Sequence, residues 1–131
     1  GEFIGRKLKL CYEPLHISCV TDEKWLLFVI EQILSNALKY TRAGSITIEL
    51  EAPKTLVIRD TGIGIAPADL PRIFEKGYTG YNGRSDQKAS GLGLYLCRTI
   101  CRRLGHTITA SSVPDHGTAI RIALDQRRVR E

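Results

Sequence analysis

The sequence has no apolar stretch that approaches the roughly 20 residues needed to span a lipid bilayer. Its longest apolar run, residues 25–30, is part of an amphipathic pattern. No secretory signal peptide opens the chain, and its first three residues read as a cloning remnant. We therefore expect a soluble fragment of a longer protein, with residues 1–6 as a remnant or linker, 7–125 as one domain, and 126–131 as a basic tail.

The four cysteines include no C-x-x-C pair and fit no zinc-site template: Cys11, Cys19, Cys97 and Cys101. Cys97 and Cys101 are four residues apart on a predicted helix, which could place both thiols on one face. We interpret them as small buried apolar residues. Because nothing in this pattern requires disulfide bonds, a cytosolic setting fits.

The net charge of +5 raises the question of a nucleic-acid partner. Three arginines lie within residues 127–131, where they read as a solvated tail. Three further cations lie in one glycine-rich loop, where a phosphate ligand explains them better: Lys76, Arg84 and Lys88. Since no aromatic-rich basic strand is present either, the sequence predicts no nucleic-acid partner.

Hydrophobic periodicity predicts strands near both ends and in the middle of the chain, separated by two long helices. The predicted strands are 7–12, 45–51, 55–59, 107–111 and 118–124, with a further short one over 16–20. Helices are predicted over 23–40 and 92–104, the second capped by Gly105, and a short helix after Pro67. This order predicts a two-layer α/β sandwich, in which three helices cover one face of a mixed, mostly antiparallel five-stranded sheet. The loop over 77–90 is longer than compact domains usually have without a function.

Polar side chains share one face of the first predicted helix with apolar ones. At about 100° per residue, one sector holds Gln32, Asn36, Lys39 and Tyr40, whereas Glu31 points to the opposite side. The Asn36 carbonyl oxygen suits a hard cation, and Lys39 can pair with a phosphate oxygen. Tyr40 could lie against a base or ribose. An amphipathic helix with a polar edge is the alternative interpretation.

An apolar strand ends at Asp60 and is followed at once by Gly62 and Gly64. Two glycines spaced by one residue let the backbone approach a ligand closely or adopt a positive φ. A carboxylate sheltered by Ile63 and Ile65 is well placed to accept a hydrogen bond from an exocyclic amine such as that of adenine. The alternative is a simple Asp-Gly turn.

The long loop leads into a helix that opens with Gly91, Leu92 and Gly93. The unpaired amides and the dipole at this helix start favour an anion, and Arg84 and Lys88 add positive charge before it. The loop matches neither the Walker A motif nor G-x-G-x-x-G. No H-R-D or D-F-G motif occurs, which excludes a serine, threonine or tyrosine protein kinase.

The ordered segments NALKYT, DTGIGI, IFEKGYTG and GLGL, followed by Gly117-Thr118, resemble the N, G1, F and G2 boxes of the sensor histidine-kinase ATP-binding domain. That domain belongs to the superfamily of gyrase, heat-shock chaperone and mismatch-repair ATPases. The resemblance spans residues 15–124 and implies ATP and Mg²⁺ as cofactors, with a flexible lid over the nucleotide.

The resemblance implies that Asn36 coordinates Mg²⁺, Lys39 contacts phosphate and Tyr40 lies near the nucleotide. It implies that Asp60 binds the adenine amino group, with Thr118 assisting through water. The other nucleotide-binding residues that it implies are Gly62, Gly64, Ile65, Phe74 at the start of the lid, Arg84, Lys88, Gly91, Leu92, Gly93 and Leu94. Two positions depart from the family pattern, since many relatives have asparagine in place of Gln32 and glycine in place of Ala89.

Hydrolytic relatives place a glutamate four residues before the metal-binding asparagine, and Gln32 stands there in this chain. Because an amide cannot act as a base, transfer to a protein histidine is favoured over hydrolysis, with Gln32, Asn36 and Lys39 as candidate catalytic residues. No phospho-acceptor histidine pattern is present. We therefore expect transfer to a histidine on a separate dimerisation domain of the same kinase, and from there to a response regulator.

The expected setting is the cytoplasmic side of a membrane-anchored parent kinase. An anti-sigma-factor-type serine kinase and an ATP-binding regulatory module are the alternatives within the same superfamily.

Overall fold

The computed structural model describes residues 7–12, 23–41, 43–51, 54–78 and 93–124. This part of the chain contains two α-helices, α1 (Glu23–Tyr40) and α2 (Gly93–Leu104). It also contains five strands: β1 (Lys7–Tyr12), β2 (Ala43–Glu51), β3 (Thr55–Asp60), β4 (Thr107–Val113) and β5 (Gly117–Ala123). The predicted strand over 16–20 and the predicted loop beyond residue 78 lie outside the described residues.

The five strands form one sheet in the order β1-β2-β3-β5-β4. β1 runs parallel to β2, and the other neighbouring pairs are antiparallel. β4 and β5 form a hairpin whose turn is at 114–116. The predicted mixed, mostly antiparallel five-stranded sheet is therefore confirmed.

The helix α1 has the predicted bounds and presents one apolar stripe to the core. Val29, Ile33 and Ala37 recur every four residues and are all buried, while Glu31 is exposed. This spacing matches the helical repeat of 3.6 residues, so the three side chains lie one above the other. Among the described residues, no helix is both long and apolar enough to span a bilayer.

The helix α2 packs beside α1 through its two cysteines, which are completely buried. The Cys97 thiol lies 3.7 Å from the Val29 carbonyl oxygen and donates to it. Burial raises the pKa of Cys97 to about 12 and that of Cys101 to about 11. The interpretation of these cysteines as buried apolar residues is confirmed. Gly105 follows the helix with φ +85°, as the predicted C-cap requires.

The two faces of the sheet differ in chemistry. Towards the helices, the strand register aligns apolar rows, such as Ile58, Ile120 and Ala110. The opposite face contains ion pairs, with Arg59 Nε 3.2 Å from a Glu49 carboxylate oxygen. These partly exposed pairs each contribute at most about 1 kcal/mol to stability. Helices therefore cover one face of the sheet, and the predicted two-layer class is confirmed.

The predicted short helix after Pro67 is a 3₁₀ helix rather than an α-helix. The segment contains only a three-residue 3₁₀ turn, Leu70–Arg72. Pro71 lies inside this turn and has no N–H to donate to a carbonyl four residues earlier. It also disfavours the α conformation at the preceding residue. An α-helix cannot extend through this position, so two α-helices rather than three accompany the sheet in the described part of the chain.

Candidate functional site

A cavity of about 560 Å³ opens between α1, the segment after β3 and the β4–β5 hairpin. This volume lies in the usual range for small-molecule sites. Its floor is apolar and belongs to the core, with Ile33, Ile58, Ile73 and Ile120 all buried. Most of the sequence-predicted site residues line it: Gln32, Asn36, Lys39, Tyr40, Asp60, Gly64, Ile65, Gly93, Leu94 and Thr118.

The wall formed by α1 presents the four polar side chains that the helical repeat places in one sector. Gln32, Asn36, Lys39 and Tyr40 all line the cavity, and Lys39 Nζ lies 5.9 Å from the Tyr40 ring centroid. The start of α2 meets this wall, because a Cβ atom added to Gly93 would lie 3.4 Å from Gln32 Oε1. The Gln32 amide, the Lys39 ammonium group and the start of α2 thus lie at one end of the cavity.

Asp60 lies at the end of β3, on the opposite wall. Its Oδ1 atom accepts hydrogen bonds from the backbone N–H of Gly62, at 2.8 Å, and of Thr118, at 3.3 Å. Since an oxygen of a carboxylate has about two acceptor positions, Oδ1 is filled and Oδ2 is left for a ligand.

Burial is the largest influence on the Asp60 carboxyl and raises its pKa above the usual 3.8. The two backbone amides and the Thr41 hydroxyl act in the opposite direction, because they stabilise the charged form. The Thr41 hydroxyl is fully buried beside this carboxyl, although it makes no well-aligned hydrogen bond within the described part of the chain. The Asp60 carboxylate is therefore partly desolvated, and a hydrogen bond from a ligand is stronger in such an environment than in water.

The glycine-framed segment after Asp60 is tied to both neighbouring elements through its backbone. The Ile63 N–H donates to the Tyr40 carbonyl at 3.2 Å, and the Asp115 N–H donates to the Ile63 carbonyl at 2.7 Å. A Cβ atom on Gly62 would lie 2.2 Å from the Tyr40 oxygen, and Gly64 has φ +76°. These glycines thus allow close approach between segments of the protein itself, while Gly64 also lines the cavity.

One hydroxyl that contacts the cavity residues Ile65 and Thr118 was not predicted from the sequence. Ser112 accepts a hydrogen bond from the Ile65 N–H at 2.8 Å, and its Oγ lies 2.9 Å from Thr118 Oγ1. The predicted strand ended at Ser111, which placed Ser112 in the turn. The alternation from Ile108 through Ala110 was a usable signal, since it puts Ser112 on the helix-facing side once the strand extends to Val113.

Tyr78 lines the cavity and was also not predicted as a site residue. Asp69 lines the cavity as well, and the Arg72 guanidinium lies 5.7 Å from the Tyr78 ring centroid. Burial raises the pKa of the Tyr78 phenol, and the nearby Asp69 charge adds to this shift. Its aromatic character, within the segment that resembles the F box, was the only signal available from the sequence.

Two described site residues, Gly62 and Phe74, are not among the residues that line the cavity, and four more predicted site residues are outside the described part of the chain. Phe74 is buried in the core, with the Arg98 guanidinium 5.9 Å from its ring centroid, because the 3₁₀ turn directs the ring towards β4. Phe74 is thus part of the core and not of the cavity lining, and its role at the start of the lid stays a prediction. The four that lie outside the described residues are Arg84, Lys88, Gly91 and Leu92.

The chemistry of the cavity fits a cation that arrives with a phosphorylated ligand. Within the described ranges, no group of three or more His, Cys, Asp or Glu side chains could hold a metal ion. Asn36 offers one amide oxygen, which suits Mg²⁺ when phosphates and water supply the other ligands.

The chain matches the family described as histidine kinase-, DNA gyrase B-, and HSP90-like ATPase over residues 21–128. This range covers most of the 131 residues and every residue of the cavity wall. The chain therefore belongs to this family, and the predicted resemblance is confirmed.

Its relatives are sensor kinases. Sensor histidine kinase YxdK of Bacillus subtilis (strain 168) is 42% identical over 108 residues, which cover 79% of this chain and 33% of that protein. Sensor protein BceS of Halalkalibacterium halodurans is 44% identical over 102 residues, 76% of this chain and 30% of that protein. The chain thus spans about a third of these relatives, as the ATP-binding domain of a sensor histidine kinase would.

A solved structure shows the same fold. The crystal structure of full-length ShkA in complex with AMPPNP matches with a TM-score of 0.73 at 22% identity. The match covers 96% of this chain and 27% of that chain.

Proposed function

We propose that this domain binds Mg²⁺-ATP in the cavity and donates the γ-phosphate to a histidine on the dimerisation domain of its parent kinase. The observation that supports this most is the placement of Asp60 and Asn36 on two walls of one cavity. The first group suits the amine of a purine, and the second suits a hard cation. A site that joins both chemistries fits a purine nucleotide with its metal.

The adenine end is assigned to Asp60 and the apolar residues around it. Oδ2 accepts from the exocyclic amine, while Ile58, Ile65 and Ile120 contact the faces and edges of the ring. Thr118 supports the base from β5, and Gly62 holds the carboxylate in place through its N–H. An apolar slot with one oriented carboxylate is the usual construction of a base-binding site.

The phosphate end is assigned to α1 and the start of α2. Lys39 pairs with a phosphate oxygen, Tyr40 lies near the ribose or phosphates, and Asn36 holds Mg²⁺. The N-terminal turn of α2, with Gly93 and Leu94, directs unpaired N–H groups at the same region. Bound Mg²⁺ would neutralise phosphate charge during transfer. Arg84 and Lys88 are proposed to add positive charge from the lid, and Gly91 and Leu92 to adjoin the phosphates.

The absence of a base favours phosphotransfer over hydrolysis. Gln32 lines the cavity one helical turn before Asn36, where a carboxylate would be needed to activate water. Glu31 is exposed and is not part of the wall. Because the described residues of α1 place no carboxylate at that position of the wall, an external nucleophile such as a histidine nitrogen is the better acceptor.

The partners follow from this role. We place the domain on the cytoplasmic side of a membrane-anchored parent, with the dimerisation domain as its direct partner and a response regulator further along. Both relatives are described as sensor proteins. Their additional length, about two thirds of each protein, leaves room for a sensor and an acceptor domain.

The test is phosphotransfer in trans to the dimerisation domain of the parent kinase, produced separately. With radiolabelled ATP and Mg²⁺, we expect label on that domain in an acid-labile, base-stable form, as histidine phosphate is. An Asp60→Asn variant provides the control for nucleotide binding. Acid-stable label would indicate a serine kinase, steady release of free phosphate a hydrolytic enzyme, and binding without either a regulatory module.

A further inference from the structure

Three polar side chains form a row across the helix-facing side of the sheet. The strand register pairs Asp60 with Thr118, and Thr118 with Ser112, so the three lie side by side on β3, β5 and β4. The next rows along the same strands are apolar, beginning with Ile58, Ile120 and Ala110. The row is thus confined to the cavity end of the sheet.

The hydrogen bonds of Ser112 determine where its single proton lies. Its Oγ lies 2.8 Å from the Gly117 carbonyl oxygen, and a carbonyl oxygen can only accept. The Ser112 proton must therefore point at Gly117. The Ile65 N–H donates to the same Oγ at 2.8 Å and takes one of its two lone pairs.

Only one lone pair of Ser112 then remains for Thr118, whose Oγ1 lies 2.9 Å away. Because the Ser112 proton is already committed, Thr118 must be the donor in this contact. The Thr118 hydroxyl is consequently left with lone pairs and no proton for any other partner. Its backbone N–H is also committed, to Asp60 Oδ1 at 3.3 Å.

We propose that Ser112 is a positioning residue that fixes the Thr118 hydroxyl as an acceptor, so that this end of the cavity selects a purine bearing an exocyclic amine over one bearing a carbonyl. The inference rests on the proposed nucleotide site. With Ser112 in place, both side-chain groups that face the base are acceptors, Asp60 Oδ2 and Thr118 Oγ1. A carbonyl oxygen placed there meets lone pairs only, and this is an unpaired, repulsive arrangement.

Removal of the Ser112 hydroxyl frees the Thr118 proton. Thr118 can then rotate and donate to a carbonyl on the base, so the penalty against that base falls. The contacts of Ser112 with Ile65 and Gly117 are lost at the same time, but these are contacts within the protein. Their loss should weaken binding of all nucleotides by a similar factor. The ratio of the affinities for an amine-bearing and a carbonyl-bearing purine nucleotide therefore separates a positioning role of Ser112 from a general structural role.

The experiment compares ATP with inosine 5′-triphosphate, which has a carbonyl in place of the 6-amino group, on the whole chain with Mg²⁺. Dissociation constants are measured for wild type, Ser112→Ala, Ser112→Thr and Ser111→Ala. Ser111 is the matched control because it is the neighbouring serine on β4, exposed and bonded to Arg121 at 3.0 Å. We expect the ATP preference to fall about fivefold in Ser112→Ala, the factor for one net hydrogen bond. Ser112→Thr should restore most of it, and Ser111→Ala should leave it unchanged.

A double-mutant cycle with Thr118→Val completes the test. Since Ser112 acts through the Thr118 hydroxyl, Ser112→Ala should change the preference no further in the Thr118→Val background. An equal loss of both nucleotides in Ser112→Ala would overturn the inference, as would a full additional effect in the double variant. If Ser112→Ala does not fold, Ser112→Cys provides the decision, because sulfur is only a weak acceptor for the Thr118 hydroxyl and should leave an intermediate preference. Wild-type protein that binds neither nucleotide would instead overturn the nucleotide site itself.

Discussion

Gly62 lies between the end of α1 and the Asp60 carboxylate, and its replacement by alanine would disturb both contacts. A Cβ atom there would lie 2.2 Å from the Tyr40 carbonyl oxygen and 2.6 Å from Thr41 Oγ1. Neither atom belongs to a flexible side chain, because one is backbone and Thr41 is completely buried. The segment must therefore move away from α1.

The cost of Gly62→Ala can be estimated from two contributions. Overpacking of a tight site typically costs about 1–3 kcal/mol. The same displacement weakens the hydrogen bond from the Ile63 N–H to Tyr40, worth about 1 kcal/mol. We expect the free energy of unfolding to fall by about 2–4 kcal/mol.

Urea denaturation without nucleotide measures this loss, with Gly93→Ala as the matched glycine control. At Gly93 the nearest atom to an added Cβ is the end of the Gln32 side chain, at 3.4 Å, which is ordinary contact. Alanine also favours a helix start, so Gly93→Ala should change stability by less than about 1 kcal/mol. A urea midpoint of unfolding for Gly62→Ala equal to that of wild type would contradict this estimate. Equal destabilisation of Gly62→Ala and Gly93→Ala would contradict it as well.

Three further predictions concern single groups. Burial raises the Asp60 pKa, so as pH falls its carboxylate gains a proton at a pH above 3.8, and Oδ2 becomes a donor. The preference for ATP over inosine 5′-triphosphate should decline as Asp60 takes up its proton, whereas a ratio that stays flat through the Asp60 titration would contradict the assignment; phosphate ionisation cancels in the ratio. Asn36→Ala should weaken ATP binding far more with Mg²⁺ than with a chelator, and equal losses in both conditions would argue against a metal role. Cys97 and Cys101, with pKa values of about 12 and about 11, should resist a thiol reagent at pH 8 in a Cys11→Ser/Cys19→Ser background. Labelling of both thiols before unfolding would show that they are accessible.

The helices and strands with a strong hydrophobic period could be predicted well from the sequence. The bounds of α1 were predicted to the residue because Val29, Ile33 and Ala37 mark its buried stripe without interruption. The segment after Pro67 could not be assigned in this way. Its apolar residues suggest a helix, but Pro71 lacks the N–H that an α-helical bond at this position would use, and the segment forms only a three-residue turn.

Parts of the site were predictable where an unusual residue type interrupts an apolar pattern. Asn36 on the inner face of a helix and Asp60 at the end of an apolar strand stand out in this way, and both line the cavity. Ser112 does not stand out, because serine is ordinary near a turn. Its place depends on a contact with Ile65, 47 residues earlier, and on the register of β4 with β5. Such long-range contacts are formed by the fold and leave no local signature.

The central claim is that Asp60 recognises the purine amine, and Asp60→Asn tests it most directly. The asparagine Oδ1 can still accept from the Gly62 and Thr118 N–H groups, so the melting temperature should stay near that of wild type. The amide nitrogen would replace Oδ2 and present a donor to the amine of adenine. We expect ATP affinity to fall at least about tenfold, the effect of losing a hydrogen bond to a charged group. An unchanged melting curve together with unchanged ATP affinity would contradict the account.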